Sequence, residues 1–300
     1  MRKLVLVALV GLAAQLVDGS LGMGYGVTSA TLLVAGGLGP ASASAAVHIS
    51  EIGTSLVSGV AHQTLGNVDW RTVGILAVPG FVGAFAGATF LVGLDGEASR
   101  VVVATILLAL GGYVTWRFLA PQRLRFAGRP AVRFLAPVGL VAGVLDAVGG
   151  GGWGPVGTSS MLSSGRLEPR KVVGSVDTAE FVVSVGASLG FLAALGSQGI
   201  EWAVAGALLV GGVVAAPIAA VLVRFLPPRI LGVAAGGLIV LTNLRTLGLE
   251  LGVSGLNIAL LASVAFTLWV LWISWAVKLD QAERGGGSER PGDLVAAKID

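Results

Sequence analysis

Seven stretches of this chain are apolar over about the twenty residues that a helix needs to cross a bilayer. They are residues 41–65, 72–92, 101–118, 171–195, 202–223, 230–244 and 256–277. Two further regions are apolar but broken by glycine. Residues 4–38 are interrupted at Asp18-Gly19-Ser20-Leu21-Gly22-Met23-Gly24-Tyr25-Gly26. Residues 135–161 are interrupted at Gly149-Gly150-Gly151-Gly152-Trp153-Gly154-Pro155. Glycine and proline both disrupt helices, so each region is read as two half-helices meeting at an unwound turn. Residues 281–300 are rich in Gly, Ser and charge and read as a disordered tail.

Composition settles the class. The 300 residues are 55% hydrophobic and 12% charged, against roughly 25% charged in a typical soluble domain. Mean hydropathy is +0.89. So few charges cannot cover the surface of a soluble protein of this size. The 47 glycines follow no Gly-X-Y period, which excludes collagen. Cysteine is absent, which excludes disulfides, zinc–thiolate sites, iron–sulfur clusters and a cysteine nucleophile. The pI of 9.7 reflects a net charge of only +3 and is read as a topology signal, not as a nucleic-acid footprint.

The chain repeats itself. Asp18, Gly22, Gly24, Tyr25 and Gly26 recur 128 residues later as Asp146, Gly150, Gly152, Trp153 and Gly154. Ala46-Val47-His48-Ile49-Ser50-Glu51 recurs at an offset of 129 as Ser175-Val176-Asp177-Thr178-Ala179-Glu180, and Asp69-Trp70 at 132 as Glu201-Trp202. Residues 1–118 and 131–247 are read as two transmembrane repeats joined by an Arg-rich linker, 119–130. An additional helix, 254–278, and the tail, 279–300, follow. The first fourteen residues resemble a signal peptide, but cleavage there would remove a half-helix that the second repeat retains.

Basic residues in short loops set orientation. Arg117, Arg123, Arg125, Arg129 and Arg133 place the linker in the cytoplasm. Each repeat then makes an odd number of crossings, the halves are inverted, and the tail is cytoplasmic with the N-terminus outside. Arg2-Lys3 dissents and is outweighed by the five linker arginines. The expected fold class is an all-α polytopic membrane protein with two inverted-topology repeats, Gly-broken half-helices and one extra C-terminal transmembrane helix.

Ionisable groups inside an apolar span are costly and usually face a bundle interior or cavity. Here they are Asp18, His48, Glu51, Asp146, Asp177 and Glu180. His48 and Glu51 share a helix face by their i,i+3 spacing, as do Asp177 and Glu180. A pseudo-twofold axis would bring the two pairs towards one central site, for substrate binding or proton coupling. The bland alternative is hydrogen bonding between helices. Asp18 and Asp146 each precede a break and are also read as caps of half-helices. His62 is left ambiguous, and Asp69 and Trp70 are read as interfacial anchors.

The breaks carry a second chemistry. Unwound turns and half-helix N-termini expose backbone N–H groups, which bind anions without a buried lysine or arginine. The candidate substrate site therefore adds Gly22, Gly24, Tyr25, Thr28, Ser29, Gly150, Gly152, Trp153, Thr158 and Ser159. For the hydroxyls the bland role is bonding to the preceding helical turn; for Tyr25 and Trp153 it is packing. Gly80, Gly83 and Gly87 are read as close helix–helix contacts.

Enzyme motifs fail. Gly149-x-Gly151-x-x-Gly154 matches the dinucleotide fingerprint only as any polyglycine run would, with no strand–helix unit around it. No His-Glu-x-x-His motif or Gly-x-Ser-x-Gly elbow is present, and two histidines do not suit a multi-histidine metal site. No cofactor, metal or nucleic-acid partner is expected.

With these motifs in hand the chain resembles the TauE/SafE-type sulfite exporter family. The resemblance rests on both glycine breaks, on 46–51 with 175–180, and on His62 with Gly66-Asn67-Val68-Asp69-Trp70, and covers about residues 5–247. It implies a multi-pass cell-membrane protein that moves sulfite, sulfonates and related small organic anions, mostly outward. The first break departs from the family pattern, with Val27 where a richer glycine run and a proline are common. The resulting expectation is a secondary transporter working by alternating access between the repeats. Protons are the candidate coupling ion, and the protein is a possible homo-oligomer. A passive anion channel, a carrier of another organic anion, an intramembrane enzyme and a purely structural role for the carboxylates are the alternatives.

Overall fold

The computed structural model describes residues 2–21, 23–120, 130–164, 166–222 and 228–286. Gly22, Arg123, Arg125, Arg129 and the tail beyond Gly286 lie outside the described residues.

The described residues form helices joined by short turns, with no strand among them. Helix α1 (Arg2–Leu21) and α2 (Tyr25–Ala35) flank the first break; α3 (Pro40–Thr64), α4 (Trp70–Gly93) and α5 (Gly96–Leu119) follow. Helix α6 (Val132–Gly149) ends at the second break, which continues as a π-helical turn, Trp153–Thr158, into the short α7 (Ser159–Ser164). Then come α8 (Pro169–Leu195), α9 (Trp202–Leu222), α10 (Pro228–Glu250) and α11 (Gly255–Gly286). Local signals explain many of the ends. Pro40 and Pro169 open α3 and α8, where a missing N–H costs nothing. The side chains of Asp69 and Asp95 cap α4 and α5, accepting from Thr72 N at 2.9 Å and Ala98 N at 2.7 Å. Helix α11 runs on to Gly286, into the stretch read from sequence as tail.

Among the described residues, six helices are long and apolar enough to cross a membrane: α4, α5, α6, α8, α10 and α11. Large hydrophobics such as Val78, Val82, Phe85 and Phe90 of α4 point outward, as lipid-facing residues must. The chain is an all-helical polytopic membrane protein. Helix α3, expected as a span over 41–65, has the length but is more polar. Its Ser44, His48, Ser50, Glu51 and Ser55 are buried inside the bundle.

Packing crosses between the two halves of the sequence. Helix α3 lies against α8, α1 against α9, α4 against both α6 and α8, and α5 against α10; α11 rests on α10. Glycines make these approaches possible. A Cβ on Gly11 would strike the backbone of Leu208, and one on Gly139 the backbone of Leu76. A Cβ on Gly83 would strike Leu140 O, and one on Gly87 would lie 2.8 Å from Val144 O. Gly80 makes room for Trp153 in the same way. The centre of the bundle, where α3 and α8 meet the two breaks, holds the intramembrane ionisable groups.

Candidate functional site

The two breaks touch each other. A Cβ on Gly26 would come 2.7 Å from Gly151 Cα and 2.8 Å from Glu51 Oε1. A Cβ on Gly151 would overlap Gly26 and Val27 backbone, and one on Gly154 would lie 2.7 Å from Met23 Cβ. Gly150 adopts φ 71°, the left-handed conformation that ends α6, and Gly24 has φ 124° before α2. The chain thus turns sharply at both breaks, and the two turns are packed backbone to backbone.

Aspartates brace both turns in the same way. Asp146 Oδ1 accepts from Gly152 N at 2.7 Å and Trp153 N at 2.9 Å. Asp18 Oδ1 accepts from Tyr25 N at 3.2 Å. In each case the carboxylate reaches the N–H seven residues on, the first of the following half-helix, where a cap and a negative charge both stabilise.

Asp146 also joins the halves. Its Oδ2 lies 3.2 Å from His48 Nε2, and His48 Nδ1 lies 2.8 Å from Ser44 O. A carbonyl only accepts, so Nδ1 carries a hydrogen. A hydrogen bond at Nε2 then needs a second proton, on the imidazole or on Asp146. The pair therefore holds one proton between them. The Ser44 hydroxyl donates to Ala147 O at 2.6 Å, beside Asp146. Glu51 Oε2 lies 3.9 Å from His48 Nε2 and accepts from Ser184 Oγ at 3.4 Å. His48, Glu51 and Asp146 are fully or almost fully buried. Their ligand atoms lie within 4.8 Å of one another, a spacing that could also hold a metal ion; the His48–Asp146 hydrogen bond accounts for the arrangement without one.

A polar cavity of about 10 Å³, room for about one water, sits where these parts meet. It is lined by Gly24, Tyr25, Gly26, Val27, Glu51, Asp146, Gly151, Gly154, Pro155 and Glu180. Helix geometry leaves the first-turn N–H groups of α2 without partners inside the helix. That of Tyr25 goes to Asp18, and the next two residues, Gly26 and Val27, are in the cavity wall. The second break offers fewer donors, because Pro155 has no N–H and Val156 N bonds to Gly152 O.

Other expected site residues fall nearby in different roles. Tyr25 donates its hydroxyl to Leu208 O at 3.2 Å and lies 3.1 Å from Ser50 Oγ. Trp153 is buried with its indole N–H on Val176 O at 3.0 Å. Ser159 Oγ contacts Met23 Sδ at 3.9 Å. The hydroxyl oxygens of Thr28, Ser29 and Thr158 are buried without a hydrogen-bond partner among the described groups. Glu180 is half-buried at the cavity wall. Asp177 is not a wall of the cavity. One turn before Glu180, it accepts from Ser58 Oγ at 2.9 Å and lies 3.4 Å from His62 Nε2. Sequence reasoning passed over Gly26, Val27, Gly151, Gly154 and Pro155 as cavity walls, although all five lie in or beside the glycine runs.

With this geometry established, the similarity to known proteins can be placed on it. The family described as Sulfite exporter TauE/SafE matches residues 7–246. The chain belongs to the TauE/SafE family. The match takes in both glycine breaks and every cavity-lining residue, and leaves out α11. The chain is also 49% identical over 250 residues to the "Probable membrane transporter protein YtnM" of Bacillus subtilis (strain 168), covering 82% of this chain and 83% of that one. No solved structure matches. The family and this relative make the protein a membrane transporter of the TauE/SafE type.

Proposed function

We propose that this TauE/SafE transporter carries small sulfur-containing oxyanions, such as sulfite or organosulfonates, out across the cell membrane as a secondary transporter. The observation that carries this reading is the backbone contact between the two breaks around a polar cavity. The α2 N-terminus lies there, with Gly26 and Val27 of its first turn in the cavity wall, and Thr28, Ser29 and Thr158, within three residues of wall residues along the chain, have buried hydroxyls without partners. An oxyanion would take up those donors. In the present conformation the space suits about one water, so binding requires the breaks to part. Residues 1–118 and 131–247, as inverted repeats, would rock against each other to open the site to alternate sides. The similar contacts Gly11–Leu208 and Gly139–Leu76, and the two i,i+7 aspartate caps, support that reading.

His48, Glu51 and Glu180 would exchange protons with the cycle, and Asp177 would stand one turn away. The Arg-rich linker and the tail would lie in the cytoplasm. No phosphate-binding motif is present in the sequence, so an ion gradient or the membrane potential would drive transport.

The test is flux of labelled sulfite into proteoliposomes, against protein-free liposomes, with and without an imposed pH gradient. Saturable flux that responds to the gradient is expected. Flux proportional to concentration and indifferent to the gradient would make the protein a passive channel. Absence of sulfite and sulfonate flux would overturn the substrate assignment.

A further inference from the structure

The charge at the cavity is opposite to what an anion site needs. Carboxylates line it from three helices, Glu51 from α3, Asp146 from α6 and Glu180 from α8, and Asp18 of α1 stands behind its wall on Tyr25 N. Glu180 lies within electrostatic reach of Glu51, Asp177, Asp18 and Asp146, and Glu51 within reach of His48, Asp146 and Asp18. One histidine, His48, stands against them, and its proton is already committed to Asp146. Of the other packed elements, α5 carries Arg100, 3.5 Å from Glu250, and Arg117 in its last turn, neither of them in the cavity wall. In α2 the titratable group is Tyr25, bonded to Leu208 O. The π-helical turn, α7 and α9 carry no titratable side chain. The basic residues of α4, α6 and α8 are Arg71, Arg133, Arg170 and Lys171, all in the first turns of their helices.

An oxyanion entering this space beside ionised Glu51 and Glu180 would meet two like charges in a low-dielectric setting, where repulsion is strong. A protonated carboxyl removes the repulsion. It also becomes an O–H donor to the anion, in a cavity whose wall includes the first turn of α2. The same carboxyl group thus changes from an obstacle to a ligand by taking one proton. Linkage then requires that anion and proton favour each other's binding.

We propose that Glu51 and Glu180 form a proton-binding site that fills together with the anion, so that proton and anion cross in the same direction. This rests on the transport reading above and adds the sense of the coupling: export coupled in this way runs down the anion's own outward gradient, because a proton gradient directed inward opposes it. In each cycle a proton from the aqueous side joins a carboxylate oxygen of the pair as the anion enters, and both leave on the other side.

The experiment is anion binding to the full-length protein in detergent, by calorimetry, with proton uptake followed by an indicator dye in weak buffer. The probes are sulfite and methanesulfonate. The latter stays ionised across the working range, so any proton taken up goes to the protein. The expected result is uptake of protons on binding and tighter binding as pH falls. Glu180→Gln, which keeps a hydrogen-bond donor without a charge, should bind with less uptake and a flatter pH dependence. Glu51→Gln serves as the second variant if the first does not fold. Binding with proton release, or with none, overturns the proposal and leaves the transport reading standing. Variants that both bind and take up protons as the wild type does overturn the assignment to this pair. Binding of neither anion overturns the transport reading itself, and the proposal with it.

Discussion

Gly151 packs directly against the backbone of Val27, so that no side chain stands between the two helix breaks. A Cβ at Gly151 would overlap main-chain atoms, which have no rotamer by which to move away. Gly151→Ala should therefore force the breaks apart, at about 1–3 kcal/mol or more, and lose transport. Gly74→Ala is the control, since nothing lies within 4 Å of a Cβ there. Thermal unfolding in one detergent, with flux measured alongside, separates the two. Equal behaviour of the two variants would sink the claim that the breaks must touch.

Asp146 and Asp18 hold equivalent turns with unequal partners. Asp146 accepts two backbone N–H groups and pairs with His48; Asp18 accepts one, at 3.2 Å. Removing one partner of a buried pair typically costs about 3–5 kcal/mol, whereas losing a single cap costs about 1 kcal/mol. Asp146→Ala should unfold at clearly lower temperature than Asp18→Ala. The reverse order would show that the first break carries more of the fold.

The unpartnered hydroxyls of Thr28 and Thr158 should behave as functional residues rather than structural ones. A buried hydroxyl without a partner costs about 1–3 kcal/mol in desolvation, so Thr28→Val and Thr158→Val should keep or raise stability. Both should weaken anion binding. Loss of stability without loss of affinity would return these hydroxyls to a packing role.

Asp177 and Glu180 should part company. Asp177 is engaged by Ser58 and His62, outside the cavity wall that Glu180 forms. Asp177→Asn should retain gradient-driven flux, while Glu180→Gln should lose its response to the gradient. Flux assays on both variants in the same vesicles decide this. A larger effect from Asp177→Asn would place the proton site one turn away from the cavity.

Much of this architecture was legible in the sequence. The glycine runs marked both breaks, and the 128-residue recurrence matched Asp18 to Asp146, whose caps are alike in the structure. The i,i+3 spacing placed His48 and Glu51 on one face. What the sequence could not supply was partnership across distance. His48 meets Asp146, 98 residues away, because α3 and α6 converge on the second break. Spacing alone suggested that Asp177 would mirror His48 at the centre; the packing of α3 on α8 turns it to Ser58 and His62 instead. The π-helical turn at Trp153–Thr158 was not legible either. It starts in the glycine run and contains Pro155, which cannot donate to the ordinary helical ladder.

The central claim is that proton and oxyanion share one site between the breaks. The most direct measurement is labelled methanesulfonate and sulfite uptake into proteoliposomes with the outside acid, the outside alkaline, or no gradient, at a clamped membrane potential. Saturable uptake that is fastest with the outside acid and slowest with it alkaline is expected. Uptake that is fastest with the outside alkaline, or identical in all three conditions, would contradict it.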